Sequence, residues 1–157
     1  MKTFQSVLVS AALAIGMAAP ASAETTDPEV ILYRFNGVRG LVGNAGPGTV
    51  FHCTNFSGAN EMIRFVPRTQ SGAIAGNHVL PISHLQTVTI VFGNIDTYFI
   101  DLHLTLPSDL TFQGSIAIAA TSANMFCTAM VMETGQFPPV GIGLHGIRFS
   151  PVPGSQE

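Results

Sequence analysis

The chain has 157 residues, of which 46% are apolar and only 10% are charged, and its formal net charge is −3 at neutral pH. Its single lysine is Lys2, and its few arginines form no basic cluster that would bind nucleic acid or an anionic membrane surface. The length is sufficient for one domain with a sizeable core.

The N-terminal segment has the three parts of a bacterial secretory signal peptide. Lys2 supplies the basic start, residues 7–19 form an apolar run, and residues 21–23 are the small residues that precede a cleavage site. The apolar run is shorter than the roughly 20 residues needed to span a membrane, and no later segment comes closer. We therefore expect residues 1–23 to be removed, leaving a single domain at 24–157 that has no transmembrane segment and lies in the periplasm or outside the cell.

The first third of the mature chain alternates apolar and polar residues with a period of two, which is typical of β-strands. Strands are predicted at residues 30–35, 49–56 and 62–68. The glycine-rich residues 36–48 are predicted to form a loop. Pro67 cannot donate to a β-ladder, which favours an edge position for the third strand.

The rest of the chain continues the same pattern, with a turn predicted at 71–77 and a short extended piece at 78–80. Further strands are predicted at residues 86–92, 95–106, 113–121, 125–134 and 141–149. The short segment 122–124 is predicted to join its two flanking strands into a hairpin. No segment has the period of a helix.

Eight or so short strands without a helix predict an all-β protein. The expected architecture is an antiparallel two-sheet sandwich of about seven to nine strands, immunoglobulin-like in arrangement. Cys53 lies in an early strand and Cys127 in a late one. Because an exported protein meets an oxidising compartment, we expect a disulfide between them that links the two sheets. The alternative is a pair of buried thiols.

The residue types that bind metals are scattered along the chain. A blue-copper site needs a histidine shortly after its cysteine, whereas none follows Cys127 before His145. The nearby methionines, Met125, Met130 and Met132, are more typical of a strand and its core. We therefore expect no metal and no cofactor. The five histidines are His52, His78, His84, His103 and His145.

Asp101 and His103 fall on one side of a predicted strand, where a carboxylate would orient an imidazole. No nucleophile motif accompanies them, and polar residues on the outward side of a strand are expected in any case. We therefore assign no catalytic residue. The triplet at 55–57 matches an N-glycosylation acceptor, which has meaning only in a eukaryotic source.

Two classes of function remain. The favoured one is a non-catalytic exported β-sandwich that binds a protein or glycan partner, self-associates, or contributes to envelope or surface assembly. The low charge favours it, because uninterrupted apolar patches mark contact surfaces. The predicted contact regions are the loops at 36–48 and 135–141, the second containing Phe137, and an unpaired edge near Pro67. The alternative is a small periplasmic enzyme or metal-binding protein that uses scattered histidine and aspartate residues.

Overall fold

A computed structural model describes residues 29–40, 46–93, 102–103, 112–133 and 140–149. These residues contain ten β-strands and no helix, so the all-β prediction is confirmed. Nothing in the described ranges is a helix long and apolar enough to cross a membrane. The predicted signal peptide lies outside these ranges. The strands are β1 (Val30–Gly40), β2 (Pro47–Asn55), β3 (Glu61–Thr69), β4 (His78–Ile82), β5 (Thr87–Phe92), β6 (Leu102–His103), β7 (Phe112–Ala120), β8 (Met125–Glu133), β9 (Val140–Leu144) and β10 (Gly146–Arg148).

The strands form one open hydrogen-bonded sheet, antiparallel except for the short parallel pairing of β5 with β6. One group of strands runs in the order β4-β3-β7-β1-β10, and we call it the first group. The second group runs in the order β6-β5-β2-β8-β9. The two groups are joined where Gly40 pairs with Gly48. An open sheet of this kind does not establish the predicted sandwich of two separate sheets.

Side chains of the two groups share one hydrophobic core. Phe51 of the second group lies between Phe35 and Phe65 of the first, with ring centroids 5.6 and 6.1 Å apart. The Tyr33 hydroxyl also donates a hydrogen bond to the carbonyl oxygen of Met125, at 3.3 Å. The sheet therefore folds over, so that the apolar sides of both groups are removed from water together.

The two cysteines lie opposite each other on neighbouring strands. Cys53 of β2 is the register partner of Cys127 of β8, their Cα atoms are 4.2 Å apart, and a disulfide joins them. The bond is therefore a cross-strand link within the second group. The prediction that it connects two sheets is wrong, because the early and late strands are hydrogen-bonded neighbours.

The predicted hairpin through residues 122–124 is also wrong, although both of its strands exist. β7 pairs with β1 and β3, whereas β8 pairs with β2 and β9. The connection between β7 and β8 therefore passes from the first group to the second. β7 buries its apolar side chains in the shared core from the first group, and β8 buries its own from the second. The two strands of a direct hairpin would lie in the same group.

Part of the predicted glycine-rich loop belongs to a strand. β1 continues to Gly40 through a register shift between Asn36 and Val38. Gly37 lies at this shift with a φ of 76°, which is the left-handed region that glycine adopts without steric cost. Glycine here marks a β-bulge, and residues 41–45 lie outside the described ranges.

Pro67 does not mark an edge strand, because β3 lies between β4 and β7. The Pro67 carbonyl oxygen accepts a hydrogen bond from the Ala75 amide at 2.8 Å, on the side away from β7. The amide and carbonyl of a strand residue point to the same side, so the missing N–H removes no bond to β7. Residues 71–77 cover this side, and the predicted unpaired edge near Pro67 is absent.

The predicted last strand is divided at His145. Before this residue β9 pairs with β8, and after it β10 pairs with β1, so the chain changes groups. Gly146 follows directly and lies against the Phe35 ring, where a Cβ would come within 2.3 Å of the ring. Of the predicted strand at 95–106, only Leu102–His103 is described as β6, and Asp101 lies outside the described ranges.

Candidate functional site

Asn55, the last residue of β2, is fully buried although it is polar. Its side-chain Nδ2 donates hydrogen bonds to the carbonyl oxygens of Ala59 at 2.7 Å and Ile82 at 2.9 Å. Its Oδ1 accepts a hydrogen bond from the Ser57 amide at 2.8 Å. A buried amide with its hydrogens satisfied fixes the groups that it contacts. Asn55 therefore holds the connection after β2 against the end of β4.

Backbone hydrogen bonds join two further connections to the same place. The Asn55 amide donates to the Gln86 carbonyl at 3.1 Å, and the Asn55 carbonyl accepts from the Leu85 amide at 2.7 Å. The Phe56 amide donates to the Asn124 carbonyl at 2.9 Å. Three connections are thus bonded into one region, which we call the Asn55 end. It consists of residues 55–60, 83–86 and 121–126.

A histidine also holds the connections together. His84 Nδ1 accepts a hydrogen bond from the Gly58 amide at 3.0 Å. The next residue, Leu85, has a φ of 63°, a conformation that is uncommon for a residue with a side chain. This backbone directs the Leu85 side chain into solvent, where 62% of its surface is exposed.

Large apolar side chains lie exposed on this bonded base. Phe56 is 49% exposed and Phe126 is 52% exposed, and their rings meet edge to face with centroids 5.4 Å apart. The Arg148 guanidinium lies 4.7 Å from the Phe126 ring centroid and donates a hydrogen bond to the Ala123 carbonyl at 2.8 Å. Phe56, Phe126 and Leu85 are thus large apolar side chains exposed at the Asn55 end, and Arg148 adds a cation beside Phe126.

The strand surface beside Phe126 is polar. Phe126 is the register partner of Thr54 on β2, and the Thr54 and Thr87 hydroxyls are hydrogen-bonded at 2.8 Å. One step along the same side, His52 Nδ1 is 3.1 Å from the Thr89 hydroxyl. This side offers hydroxyl and imidazole groups that can hydrogen-bond to a partner.

Arg64 and Glu29 form an ion pair with a structural role. Arg64 Nε donates to Oε2 of Glu29, and its Nη2 donates to Oε1 of the same carboxylate at 3.2 Å. Arg64 Nη1 also donates to the Asn77 side chain at 2.9 Å. Both partners of this two-point ion pair are largely buried, so it links the start of β1 to β3 and presents no reactive group.

The structure does not bring the predicted metal-binding types together. His52, His78, His84 and His145 lie on different elements, and no group of three His, Cys, Asp or Glu within the described ranges is placed to hold a metal ion. Burial lowers the pKa of His78 below its usual 6.5. The prediction that no metal is bound stays a prediction.

The methionines around Cys127 are likewise divided between two places. Met125 lies in the main core, whereas Met132 belongs to a smaller cluster with Val50 and Val91. Phe137 of the predicted contact loop lies outside the described ranges, as does Asp101.

The sequence analysis did not predict the exposed residues of the Asn55 end, although the alternation of β8 indicates that Phe126 points outward. The alternation that places Cys127 inward places Phe126 outward, which is unusual for an aromatic residue on the solvent side of a strand. The glycosylation match at 55–57 has a structural explanation instead. Asn55 is buried with both amide hydrogens bonded, so its side chain is inaccessible in the folded protein.

Comparisons of the chain with protein families, with curated proteins and with solved structures found no match.

Proposed function

We propose that this chain is a non-catalytic, exported binding module that contacts a protein partner through the Asn55 end. The observation that carries the proposal is the exposure of Phe56, Leu85 and Phe126 on a base held by the buried Asn55 amide. Exposed apolar groups of this size favour contact with another surface. Because the base is already ordered, binding costs little conformational entropy.

The composition of this surface favours a protein over a glycan. Protein interfaces are enriched in aromatic residues and arginine; the Asn55 end supplies two phenylalanines, and Arg148 of β10 lies against one of them. Leu85 adds an aliphatic group, which suits an apolar side chain of a partner better than it suits sugar hydroxyls. Arg148 also lies over the Phe126 ring, in the position that a stacking sugar ring would need.

We also propose that residues 1–23 direct export and are cleaved, leaving one domain at 24–157 in the periplasm or outside the cell. The basic, apolar and small-residue parts of the N-terminus support this, and a disulfide suits an oxidising compartment. In this proposal the two strand groups act as the layers of a sandwich. Its connections at one end then present the binding surface, as loops on rigid β scaffolds do.

Site-specific photo-crosslinking tests the proposal in the cells that produce the protein. A photoreactive residue in place of Leu85 is expected to give a crosslink to one defined protein. The same residue at Ile74, which is exposed beyond the other end of β3, serves as the matched control and is expected to give none. Crosslinks that are equal at both positions, or a crosslink to glycan alone, would contradict the proposal.

A further inference from the structure

β9 is an edge strand of the second group, and within the described ranges it pairs only with β8. Its sequence, Val-Gly-Ile-Gly-Leu, contains no charge and no proline, the devices that usually block pairing at a sheet edge. Val140 is 59% exposed and Ile142 is 73% exposed. Among the described residues, β9 therefore combines an edge that is paired on one side only with exposed apolar side chains.

The disulfide shows which backbone groups of β9 point outward. The 4.2 Å separation of the Cys53 and Cys127 Cα atoms is that of a pair without mutual backbone hydrogen bonds, so Cys127 directs its amide and carbonyl away from β2. Val131 lies four residues further along β8, so its amide and carbonyl also point away from β2, towards its register partner Ile142 on β9. Since direction alternates along a strand, Gly141 and Gly143 point their amides and carbonyls away from β8.

The order of residue types in β9 is the same in both directions. Ile142 is central, a glycine stands on each side of it, and an aliphatic residue stands at each end. We propose that two copies of this chain pair through β9 in antiparallel orientation about a two-fold axis at Ile142. Gly141 of each copy then exchanges both of its backbone hydrogen bonds with Gly143 of the other.

The side chains of β9 are compatible with antiparallel pairing of two copies. Ile142 meets its own counterpart at the axis, where opposed residues without mutual hydrogen bonds approach most closely. Val140 of one copy meets Leu144 of the other, and Leu144 already packs against the main core. A Cβ at Gly143 would meet nothing within 4 Å, so the side of β9 opposite Ile142 is uncrowded at this position. Apolar groups thus face apolar groups along the whole pairing.

The area buried between the two copies limits the expected affinity of the dimer. Val140 and Ile142 of each copy can bury on the order of 100 Å² apiece and the partly buried Leu144 less, so the side chains bury at most roughly 600 Å² in total before the backbone is counted. This is below the roughly 1,200–2,000 Å² of a standard stable interface. The dimer is therefore reversible, with a Kd in the micromolar to millimolar range.

Sedimentation equilibrium of the purified protein, over a concentration series that reaches about 1 mM, tests the pairing. The wild type is expected to change reversibly from monomer to dimer. Ile142→Lys places two like charges together at the axis and is expected to weaken the dimer at least tenfold. Ile147→Lys, at a similarly exposed position in β10, is the matched control and is expected to dimerise as the wild type does.

A second variant separates loss of pairing from loss of folding. Gly143→Pro removes an outward N–H while leaving the bonds of Ile142 to β8 in place, and it is expected to give a folded monomer with the disulfide formed. A wild type that stays monomeric throughout the series would overturn the proposal. So would an Ile142→Lys or Gly143→Pro variant that dimerises like the wild type, or an Ile147→Lys variant that loses the dimer equally.

Discussion

Cys53 and Asn55 lie two residues apart on β2, and both side chains point into the protein. The first is bonded to Cys127 of β8, and the second is hydrogen-bonded to the connections at the end of the strand. The disulfide therefore fixes the neighbouring strands β2 and β8 immediately before the candidate binding surface. Since Phe126 precedes Cys127, the covalent link also fixes the backbone that carries this ring.

The disulfide is expected to contribute substantially to stability. Replacing Cys53 and Cys127 together by alanine should lower the free energy of unfolding by about 4 kcal/mol, because the link closes a long loop in the unfolded chain. Denaturant unfolding of the two proteins measures the difference. Mass spectrometry of the non-reduced wild type should show the loss of two hydrogens, and readily alkylated free thiols would contradict the assignment.

Asn55 is expected to be essential for the order of the Asn55 end. Asn55→Ala leaves the Ala59 and Ile82 carbonyls without their donor, so the free energy of unfolding should fall by roughly 3 kcal/mol. Asn60→Ala, at an exposed position in the same connection, is the control and should change it by less than about 0.5 kcal/mol. Urea unfolding checks both values, and equal effects would show that the amide is not the anchor.

The ion pair between Glu29 and Arg64 is expected to couple the start of β1 to β3. A double-mutant cycle with Glu29→Gln and Arg64→Met should give a coupling energy of roughly 1–3 kcal/mol, because both side chains are largely buried. Thermal or denaturant unfolding of the four proteins supplies the cycle. Additive effects would place the pair among surface ion pairs that contribute little.

His78 makes stability depend on pH. Burial lowers its pKa in the folded state below the 6.5 of the unfolded chain, and its Nε2 is buried without a hydrogen-bond partner. Well above pH 6.5 both states are neutral and His78 contributes no pH dependence. As the pH falls below 6.5, the unfolded state gains its proton first, so the free energy of unfolding decreases.

Comparison with His78→Gln isolates this effect from the other histidines. Unfolding is measured in urea at about pH 7.5 and at about pH 5, and the wild type should lose more stability between them than the variant does. Equal losses would show that His78 does not titrate differently in the two states.

Strand positions could be predicted from the sequence, whereas strand partners could not. Alternation correctly located β2, β5, β7 and β8 to within a few residues, because burial on one side of a strand is a local property. It does not specify which strand lies alongside, so the sequence predicts one hairpin for residues 113–121 and 125–134, although they pair with different strands. For the same reason, the sequence predicts a disulfide between two sheets, whereas Cys53 and Cys127 lie on neighbouring strands.

The candidate site could not be predicted because it also depends on which strands pair. Asn55 and Leu85 are 30 positions apart in the sequence, and only the pairing of β2 with β5 brings their backbones together. An asparagine followed by Phe56 and Ser57 resembled a surface glycosylation motif, whereas its amide is used internally. The outward position of Phe126 followed from the alternation of β8, but its contacts with Phe56 and Arg148 required the fold.

The most direct test of the binding function is the effect of Phe126→Ser on partner capture and on stability, measured together. The protein, with the photoreactive residue in place of Leu85, is used for capture in the producing cells, and unfolding is followed separately. Because half of the Phe126 ring is exposed, the variant should lose most of the crosslinked partner while its free energy of unfolding falls by no more than about 1 kcal/mol. Undiminished crosslinking together with a large loss of stability would contradict the proposal and assign Phe126 to the fold alone.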